Sequence, residues 1–270
     1  MTAYNTETAI AHLQQTEDLS LRYYAAWWLG KFRVTDPPAI TALLTALEDE
    51  SDRSPDGGYP LRRNAARALG KLGDSQAVSL LIQNLSCSDY YVREACAQAL
   101  EEIGDPEAIP HLRALLAGGV EAAQPVPGKP HLVQPYEAII EALGTLGATE
   151  TKSEIEPFLE HSVEKVQLAT ARALYQLTKE ESYGKRLIAG LQAEKLPLRR
   201  SALMDLGATD YLQAARAIVQ TPAENSLKLI SLKGLLENHL KHQNETLSDD
   251  AVHLLTLMDS LLRSEEHTSE

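Results

Sequence analysis

The chain is poor in cysteine, in aromatic residues and in positive charge, and it has no long hydrophobic run. Its two cysteines, Cys87 and Cys96, are too few for a disulfide framework, which favours a reducing compartment. No apolar segment approaches the roughly 20 residues that a helix needs to cross a bilayer. The opening MTAYNTETAI lacks the basic region of a signal peptide. We therefore expect a cytoplasmic protein.

The charge balance is acidic, because 25 Lys and Arg residues stand against 38 Asp and Glu residues, a formal net charge of −13. This sign disfavours a nucleic-acid enzyme, since Lys and Arg that neutralise phosphates supply much of the affinity for duplexes. With 44% hydrophobic and 23% charged residues, the composition is nevertheless that of an ordinary globular protein.

What the sequence does contain is a repeat of about 31 residues. Its units align on the leucine of an A-L-G triplet or of a related triplet: Leu29, Leu69, Leu100, Leu143, Leu174, Leu206 and Leu235. Each leucine lies in a helix-periodic segment, and a second such segment precedes it. Paired helices of this length bury their apolar faces only by stacking. The sequence predicts an all-α fold, a right-handed α-α superhelix of about seven or more HEAT-like helix pairs.

The solenoid is predicted to form a single domain over residues 1–262. An opening helix is predicted for TETAIAHLQQT. A terminal helix that covers the end of the stack is predicted for DDAVHLLTLMDSLLR. The last eight residues, RSEEHTSE, resemble the translation of a sequencing adapter. Residues 263–270 are therefore predicted to be a non-native tail, and the native C-terminus is expected to be missing.

Two repeats are longer than the others. Their extra segments are EDESDRSPDGGYP, residues 48–60, and AGGVEAAQPVPGKPHLVQP, residues 117–135. Each falls between the two helices of its repeat and leads directly into the second, so both are predicted to emerge on one rim. Insertions in repeat arrays commonly map to the binding face. We expect the binding site here, on the concave surface that the second helices line.

The first insertion leads into two adjacent arginines, Arg62 and Arg63. A helix N-terminus carries partial positive charge and unpaired N–H groups, so arginines there suit carboxylates or phosphates. Arg62 also has basic counterparts in other repeats, which leaves a purely structural role open. Arg63 is matched only by Arg200 and is the stronger candidate ligand.

The two tryptophans, Trp27 and Trp28, are adjacent. Successive helix positions point about 100° apart, so both cannot enter the same core. One is expected to pack, and the other is expected on the concave wall or at an interface. A flat aromatic surface there suits a planar ligand or a protein partner.

Common catalytic signatures are missing. The chain contains no G-x-x-x-x-G-K, G-x-G-x-x-G, C-x-x-C or H-E-x-x-H motif. The absence of any His-Glu dipeptide weakens the case for a metal-dependent hydroxylase built on HEAT repeats, and no metal site is predicted. Cys96 falls at a small core position, and Cys87 lies in a turn with nothing nearby to activate it.

Four segments resemble the E-type subunits of the heterodimeric phycobilin lyases: YYAAWWLGKF, GGYPLRRNAARALGKLGD, YVREACAQALEEIGD and PYEAIIEALGTLGA. The resemblance extends to about residue 262 and implies a cytoplasmic cyanobacterial enzyme subunit of phycobilisome assembly. With an F-type partner, such a subunit attaches phycocyanobilin, an open-chain tetrapyrrole, to a cysteine of the phycocyanin α subunit. The thiol adds across the ethylidene double bond of ring A to form a thioether. The nucleophile then belongs to the acceptor, which fits its absence here.

On this resemblance the pigment is a substrate, and no permanently bound cofactor is expected. Five residues are candidates for binding it. Arg62 and Arg63 would bind its two propionates. Trp27 or Trp28 would stack on its conjugated face. Asp56 would hold its pyrrole N–H groups and favour the protonated, electrophilic form.

Four further residues are candidate catalytic groups on the same resemblance. Glu137 would act on the pyrrole N–H groups together with Asp56. Tyr59, His131 and Tyr136 are candidate proton donors, because thiol addition requires a proton at carbon.

Two alternatives stay open. The chain would also suit a non-enzymatic HEAT-repeat adaptor or chaperone whose insertions bind a protein partner. It would also suit the E subunit of a related lyase-isomerase, which converts phycocyanobilin to phycoviolobilin during attachment.

Overall fold

The computed structural model describes residues 4–241 and 247–266, with side chains described as far as residue 263. Within these ranges the chain is all-α, and its β-type pairing is confined to an isolated bridge between Pro125 and Leu132. None of the described helices is long and apolar enough to cross a membrane. The chain divides into two compact units, residues 1–151 and 152–270. The single domain over residues 1–262 stays a prediction.

The first unit contains nine α-helices within the described residues: α1 (Thr6–Gln14), α2 (Leu19–Lys31), α3 (Pro37–Leu47), α4 (Pro60–Leu72), α5 (Val78–Asn84), α6 (Tyr90–Ile103), α7 (Ile109–Ala114), α8 (Gly119–Ala122) and α9 (Tyr136–Thr145). Short 3₁₀ turns precede α5 and α7. The helices form four pairs, and the short α8 lies inside the second insertion.

The second unit contains seven more helices within the described residues: α10 (Lys152–Ile155), α11 (Glu164–Thr178), α12 (Glu181–Gly190), α13 (Leu196–Gly207), α14 (Ala215–Gln220), α15 (Asn225–Leu240) and α16 (Asp249–Glu266). They form three pairs and a final helix. The two units together give seven pairs, which confirms the predicted α-solenoid. The last helix extends into the predicted tail as far as Glu266, and residues 267–270 lie outside the described residues.

Small residues next to the repeat leucines let consecutive second helices pack closely. Helix α2 packs on α4, α4 on α6 and α6 on α9. A Cβ atom added to Gly30 would lie 2.8 Å from the Cα of Ala68, and one added to Gly70 would lie 2.7 Å from the Cα of Ala99. Glycine is therefore required at these contacts.

The boundaries between repeats follow local chemistry. Gly73 and Gly104 end α4 and α6 with φ angles of 70° and 78°, a conformation that favours glycine. The carboxylates of Asp74 and Asp105 then accept the N–H groups of the next turns at 2.9 Å. These stop and start signals set where each helix pair begins.

A recurring arginine in the first turn of the second helix joins each pair internally. In four repeats it donates to a main-chain carbonyl at the end of the preceding helix or just after it: Arg22 to Leu13 (3.1 Å), Arg62 to Asp49 (2.6 Å), Arg93 to Cys87 (2.7 Å) and Arg199 to Ala193 (2.8 Å). Orphan carbonyls at helix ends are satisfied in this way.

Candidate active site

The two insertions meet over one cavity of about 730 Å³ in the first unit. Ser54 and residues 56–60 of the first insertion line it, and so do most of residues 126–133 of the second. The remaining walls come from α2, α4 and α6. The prediction that both insertions emerge on one rim is therefore confirmed.

The first insertion is closed by its own hydrogen bonds. The Ser54 hydroxyl accepts the N–H of Gly58 at 2.8 Å and donates to the Asp56 carboxylate at 2.6 Å. Gly57 has a φ of 88°, and its carbonyl accepts from Arg53 at 2.6 Å. These contacts fix the loop that carries Asp56 and Tyr59 to the cavity. The hydrogen bond from Ser54 is the main reason why the pKa of Asp56 lies below its ordinary value.

Asp89 ties this loop to the neighbouring repeat. One carboxylate oxygen accepts the N–H of Tyr91 at 2.8 Å and caps α6, and the other accepts the N–H of Tyr59 at 2.7 Å. A Cβ atom at Gly58 would lie 3.0 Å from that second oxygen. A single aspartate therefore sets the spacing between the starts of α4 and α6.

The second insertion contains a short hairpin that the sequence did not reveal. Val126 donates its N–H to the carbonyl of His131, and Val133 donates to Gln124, both at 3.0 Å. Arg93 anchors the returning segment by donating to the carbonyl of Val133 at 2.9 Å. The proline-rich segment shows no alternation of apolar and polar residues, so nothing in its pattern predicts a bridge.

Aromatic side chains form much of the cavity wall. The rings of Tyr90 and His131 stack with centroids 4.1 Å apart and planes 12° apart, and Tyr91 meets His131 edge-on at 5.8 Å. Burial, and then the negative charges of Glu94 and Glu137, raise the pKa of Tyr90. Its phenol therefore stays protonated at neutral pH.

Tyr59 and its arginine neighbours extend this wall. The Tyr59 ring lies between the guanidinium groups of Arg53 and Arg62, whose carbon atoms are 3.8 and 4.2 Å from its centroid. Such contacts hold the ring in one orientation. Tyr59 lines the cavity, whereas Arg62 does not.

The two adjacent arginines have different surroundings. Arg63 lines the cavity and donates to the hydroxyl of Tyr23 at 3.0 Å, and its buried Nε has no hydrogen-bond partner among the described residues. Arg62 instead donates to the carbonyl of Asp49 and to the carboxylate of Glu50 at 3.0 Å. The geometry supports a ligand role for Arg63 and a structural role for Arg62.

The tryptophans lie on α2 in an aromatic cluster outside the cavity. Trp28 packs against Tyr4 and Phe32, with centroids 5.3 and 4.9 Å apart. Trp27 is 46% exposed and contacts Tyr24. The residue of α2 that lines the cavity is Tyr23, one helical turn before Trp27. Stacking of the pigment on either tryptophan stays a prediction.

Two further candidates at the start of α9 also lie outside the cavity wall. Tyr136 is only 2% exposed and packs in the core, where burial raises its pKa. Glu137 is half-buried, and its charge acts on Tyr90. Their catalytic roles stay predictions.

Several lining residues were missed by the sequence reasoning: Tyr23, Asp89, Tyr90, Tyr91, Arg93 and Lys129. The repeat alignment contained a signal for some of them. Tyr90 occupies the repeat position of Tyr59, and Tyr23 that of Arg63. Within the described residues, no three His, Cys, Asp or Glu side chains are placed to share a metal ion.

The chain matches the family model of the PBS lyase HEAT-like repeat over residues 21–49 and that of HEAT repeats over residues 53–122. It is 64% identical over 260 residues to the phycocyanobilin lyase subunit alpha of Picosynechococcus sp. (strain PCC 7002), covering 96% of this chain and 97% of the relative. Identity to the subunit of the same name from Synechocystis sp. (strain PCC 6803) is 62% over 264 residues, with the same coverage.

A solved structure agrees with these sequence relationships. It is the complex of CpcE and CpcF of phycocyanin lyase from Nostoc sp. PCC7120, and the match has a TM-score of 0.89 and 59% sequence identity. The match covers 97% of this chain and 96% of that chain. The chain belongs to the family of phycocyanobilin lyase α subunits.

Proposed function

We propose that this chain binds phycocyanobilin in the cavity between its insertions. Together with an F-type partner, it attaches the pigment through a thioether to a cysteine of the phycocyanin α subunit. The names of its relatives and the complex formed by the Nostoc protein support this assignment. The observation that carries it is the convergence of both insertions on one aromatic cavity with cations in its wall.

The size and lining of the cavity suit a bilin. Its volume of about 730 Å³ falls within the roughly 300–1,000 Å³ of small-molecule sites. A bilin combines flat conjugated rings with two carboxylates. Tyrosine and histidine faces can stack on the rings, and Arg63 and Lys129 can bind the carboxylates. Asp56, which lines the cavity, would accept pyrrole N–H groups and favour the protonated pigment.

The reaction needs a nucleophile and a proton, and this chain supplies groups only for the proton. Cys96 is fully buried, which raises the pKa of its thiol, and Cys87 does not line the cavity. The sulfur therefore comes from the acceptor. The proton for carbon comes from a group on the cavity wall, where Tyr59, Tyr90 and His131 lie. Holding the pigment and the acceptor in one geometry supplies much of the acceleration.

The test measures pigment binding, and pigment transfer to apo-phycocyanin α subunit, in the presence of an F-type partner, with Arg63→Ala compared to Arg200→Ala. Arg200 holds the same repeat position outside the cavity and pairs with Glu224. Loss of a charged hydrogen bond of about 1.5–3 kcal/mol should weaken pigment binding about 10-fold or more in Arg63→Ala alone.

Equal pigment binding by both variants would contradict the proposed binding of a pigment carboxylate by Arg63. Failure of the unmodified chain to retain pigment, with partner binding intact, would favour the adaptor. The absorbance of the product separates simple attachment from attachment with isomerisation, because isomerisation shortens the conjugated system.

A further inference from the structure

One ring nitrogen of His131 is already committed to the main chain. Its Nδ1 lies 2.8 Å from the carbonyl oxygen of Leu132, which can only accept a hydrogen bond. We therefore assign the hydrogen of the neutral ring to Nδ1, which leaves Nε2 with a free lone pair. No described group is hydrogen-bonded to Nε2, and the residue lines the cavity.

The ring is also fixed in orientation, as a catalytic group must be. Tyr90 covers one face at 4.1 Å, and Tyr91 abuts it edge-on. The carbonyl of His131 accepts the N–H of Val126, and Arg93 holds the hairpin two residues further on. Main chain and side chain are thus held independently of any ligand.

The remaining titratable and charged groups of the cavity line the same space as this ring. They are Lys129 from its own insertion, Asp89, Tyr90, Tyr91 and Arg93 from α6 and its cap, Arg63 from α4, Tyr23 from α2, and Asp56 and Tyr59 from the first insertion. Both carboxylate oxygens of Asp89 already accept main-chain N–H groups. The other side-chain nitrogens of the described wall belong to Lys and Arg, so His131 carries the ring nitrogen that can accept a proton there.

We propose that Nε2 of His131 is the general base that takes the proton from the acceptor's thiol. This inference rests on the proposed function and gives His131 a role different from that of the proton donor that the family resemblance suggested. As the proton leaves, sulfur bonds to the exocyclic carbon of ring A, and the electron pair of the double bond moves to the ring carbon. A phenol, Tyr59 or Tyr90, protonates that carbon, and the imidazolium returns its proton to the phenolate. S–H and C=C are replaced by S–C and C–H, with no change of oxidation state.

A base is useful here because the thiolate is the nucleophile, and an ordinary cysteine with a pKa of about 8.5 is only a few per cent ionised at pH 7. Raising the pH to 9 ionises most of the thiol without help. The advantage of a base should therefore be large at neutral pH and small at alkaline pH.

The experiment measures the single-turnover rate of transfer to apo-phycocyanin α subunit, with F-type partner and saturating phycocyanobilin, for the parent, His131→Ala and His131→Gln between pH 7 and 9. We expect both variants to be about 100-fold slower at pH 7. The deficit should shrink about 10-fold or more by pH 9, and added imidazole should restore part of the rate in His131→Ala. Dividing the rate of each variant by that of the parent at the same pH removes pH effects that are common to both proteins.

A deficit that is equal at pH 7 and pH 9 and insensitive to imidazole would overturn the assignment and leave a positioning role. Unchanged rates would overturn it as well. A parent complex that transfers no pigment would instead defeat the proposed function itself. The two failures are thus distinguishable.

Discussion

At the residue scale, Asp89 is the side chain that links stability to the geometry of the cavity. It caps α6 and holds the first insertion through Tyr59. Asp89→Ala should lower the free energy of unfolding by about 1–2 kcal/mol and also weaken pigment binding. Asp105→Ala removes a similar cap outside the cavity and should affect stability alone. Urea unfolding and pigment titration measure the two effects, and equal pigment affinity in both variants would contradict the linking role.

Asp49 and Asp52, at the base of the first insertion, have pKa values shifted in opposite directions. Desolvation raises the pKa of Asp49, but it is outweighed by hydrogen bonds from Arg22, the Asp52 N–H and Ser51 and by the charge of Arg22, so the net shift is downward. Burial, followed by the charge of Asp49, raises the pKa of Asp52. One oxygen of Asp52 is buried with no hydrogen-bond partner.

These shifts predict opposite pH dependences for two matched variants. Since the folded pKa of Asp52 is raised, its stabilising contribution is complete below the unfolded value of about 3.9 and is lost as pH rises through the folded pKa. Asp52→Asn should therefore unfold at a higher urea concentration than the parent at pH 7, and this difference should disappear towards pH 4.

For Asp49 the pH dependence of stability has the opposite sign, because its folded pKa is lowered. Asp49→Asn should be less stable at pH 7, and its deficit should shrink as pH falls below 3.9. The same sign of change for both at pH 7 would contradict the assigned shifts.

At the contact between the helices α4 and α6, helix propensity and packing favour different residues at position 70. Gly70→Ala would gain up to about 1 kcal/mol in propensity in an isolated helix. Here its Cβ would lie 2.7 Å from the Cα of Ala99, so the helices must separate. We expect a net loss of about 1–3 kcal/mol in the free energy of unfolding. Lys71→Ala, at the adjacent exposed position, should leave the free energy of unfolding nearly unchanged. If Gly70→Ala were more stable than the parent, α4 and α6 would be able to separate at little energetic cost.

The hairpin of the second insertion should be separable from the fold. Val133 donates to the carbonyl of Gln124, so replacing residues 125–132 by Asn-Gly leaves these two residues joined by a tight turn. Arg93 keeps its bond to Val133. The helical circular dichroism and the urea midpoint should change little, whereas pigment binding should be lost with Lys129 and His131. Collapse of the fold would mean that the hairpin stabilises the repeats.

At the scale of the whole molecule, the sequence was most informative where one physical rule acts in every repeat. Helix pairs, their capping residues and the positions of both insertions follow from periodicity, from Gly73-Asp74 and Gly104-Asp105, and from breaks in the interval. The cavity wall does not follow from such rules. Arg62 and Arg63 differ by one position, yet one binds carbonyls of its own repeat and the other lines the cavity. Which arginine lines the cavity depends on side-chain direction and on the fold of an irregular loop. Neither of these is encoded in the repeat period.

Pigment binding and pigment transfer are expected to differ in whether they need the partner subunit. Every residue that lines the cavity belongs to the first unit of this chain, so the chain alone should bind phycocyanobilin. Both tryptophans lie on α2, and Trp27 is about 6 Å along the helix from the cavity residue Tyr23, so bound pigment should quench tryptophan fluorescence.

Transfer should behave differently from binding. Attack by the acceptor's sulfur requires the acceptor to be docked over the pigment, and orientation of that kind accounts for several kcal/mol of a barrier. Without the F-type partner we therefore expect undiminished quenching but transfer at less than about one tenth of the rate of the complex. An acceptor that lacks the cysteine controls for non-covalent pigment. Full transfer by the chain alone would mean that this subunit positions both substrates and that the partner acts after the thioether has formed.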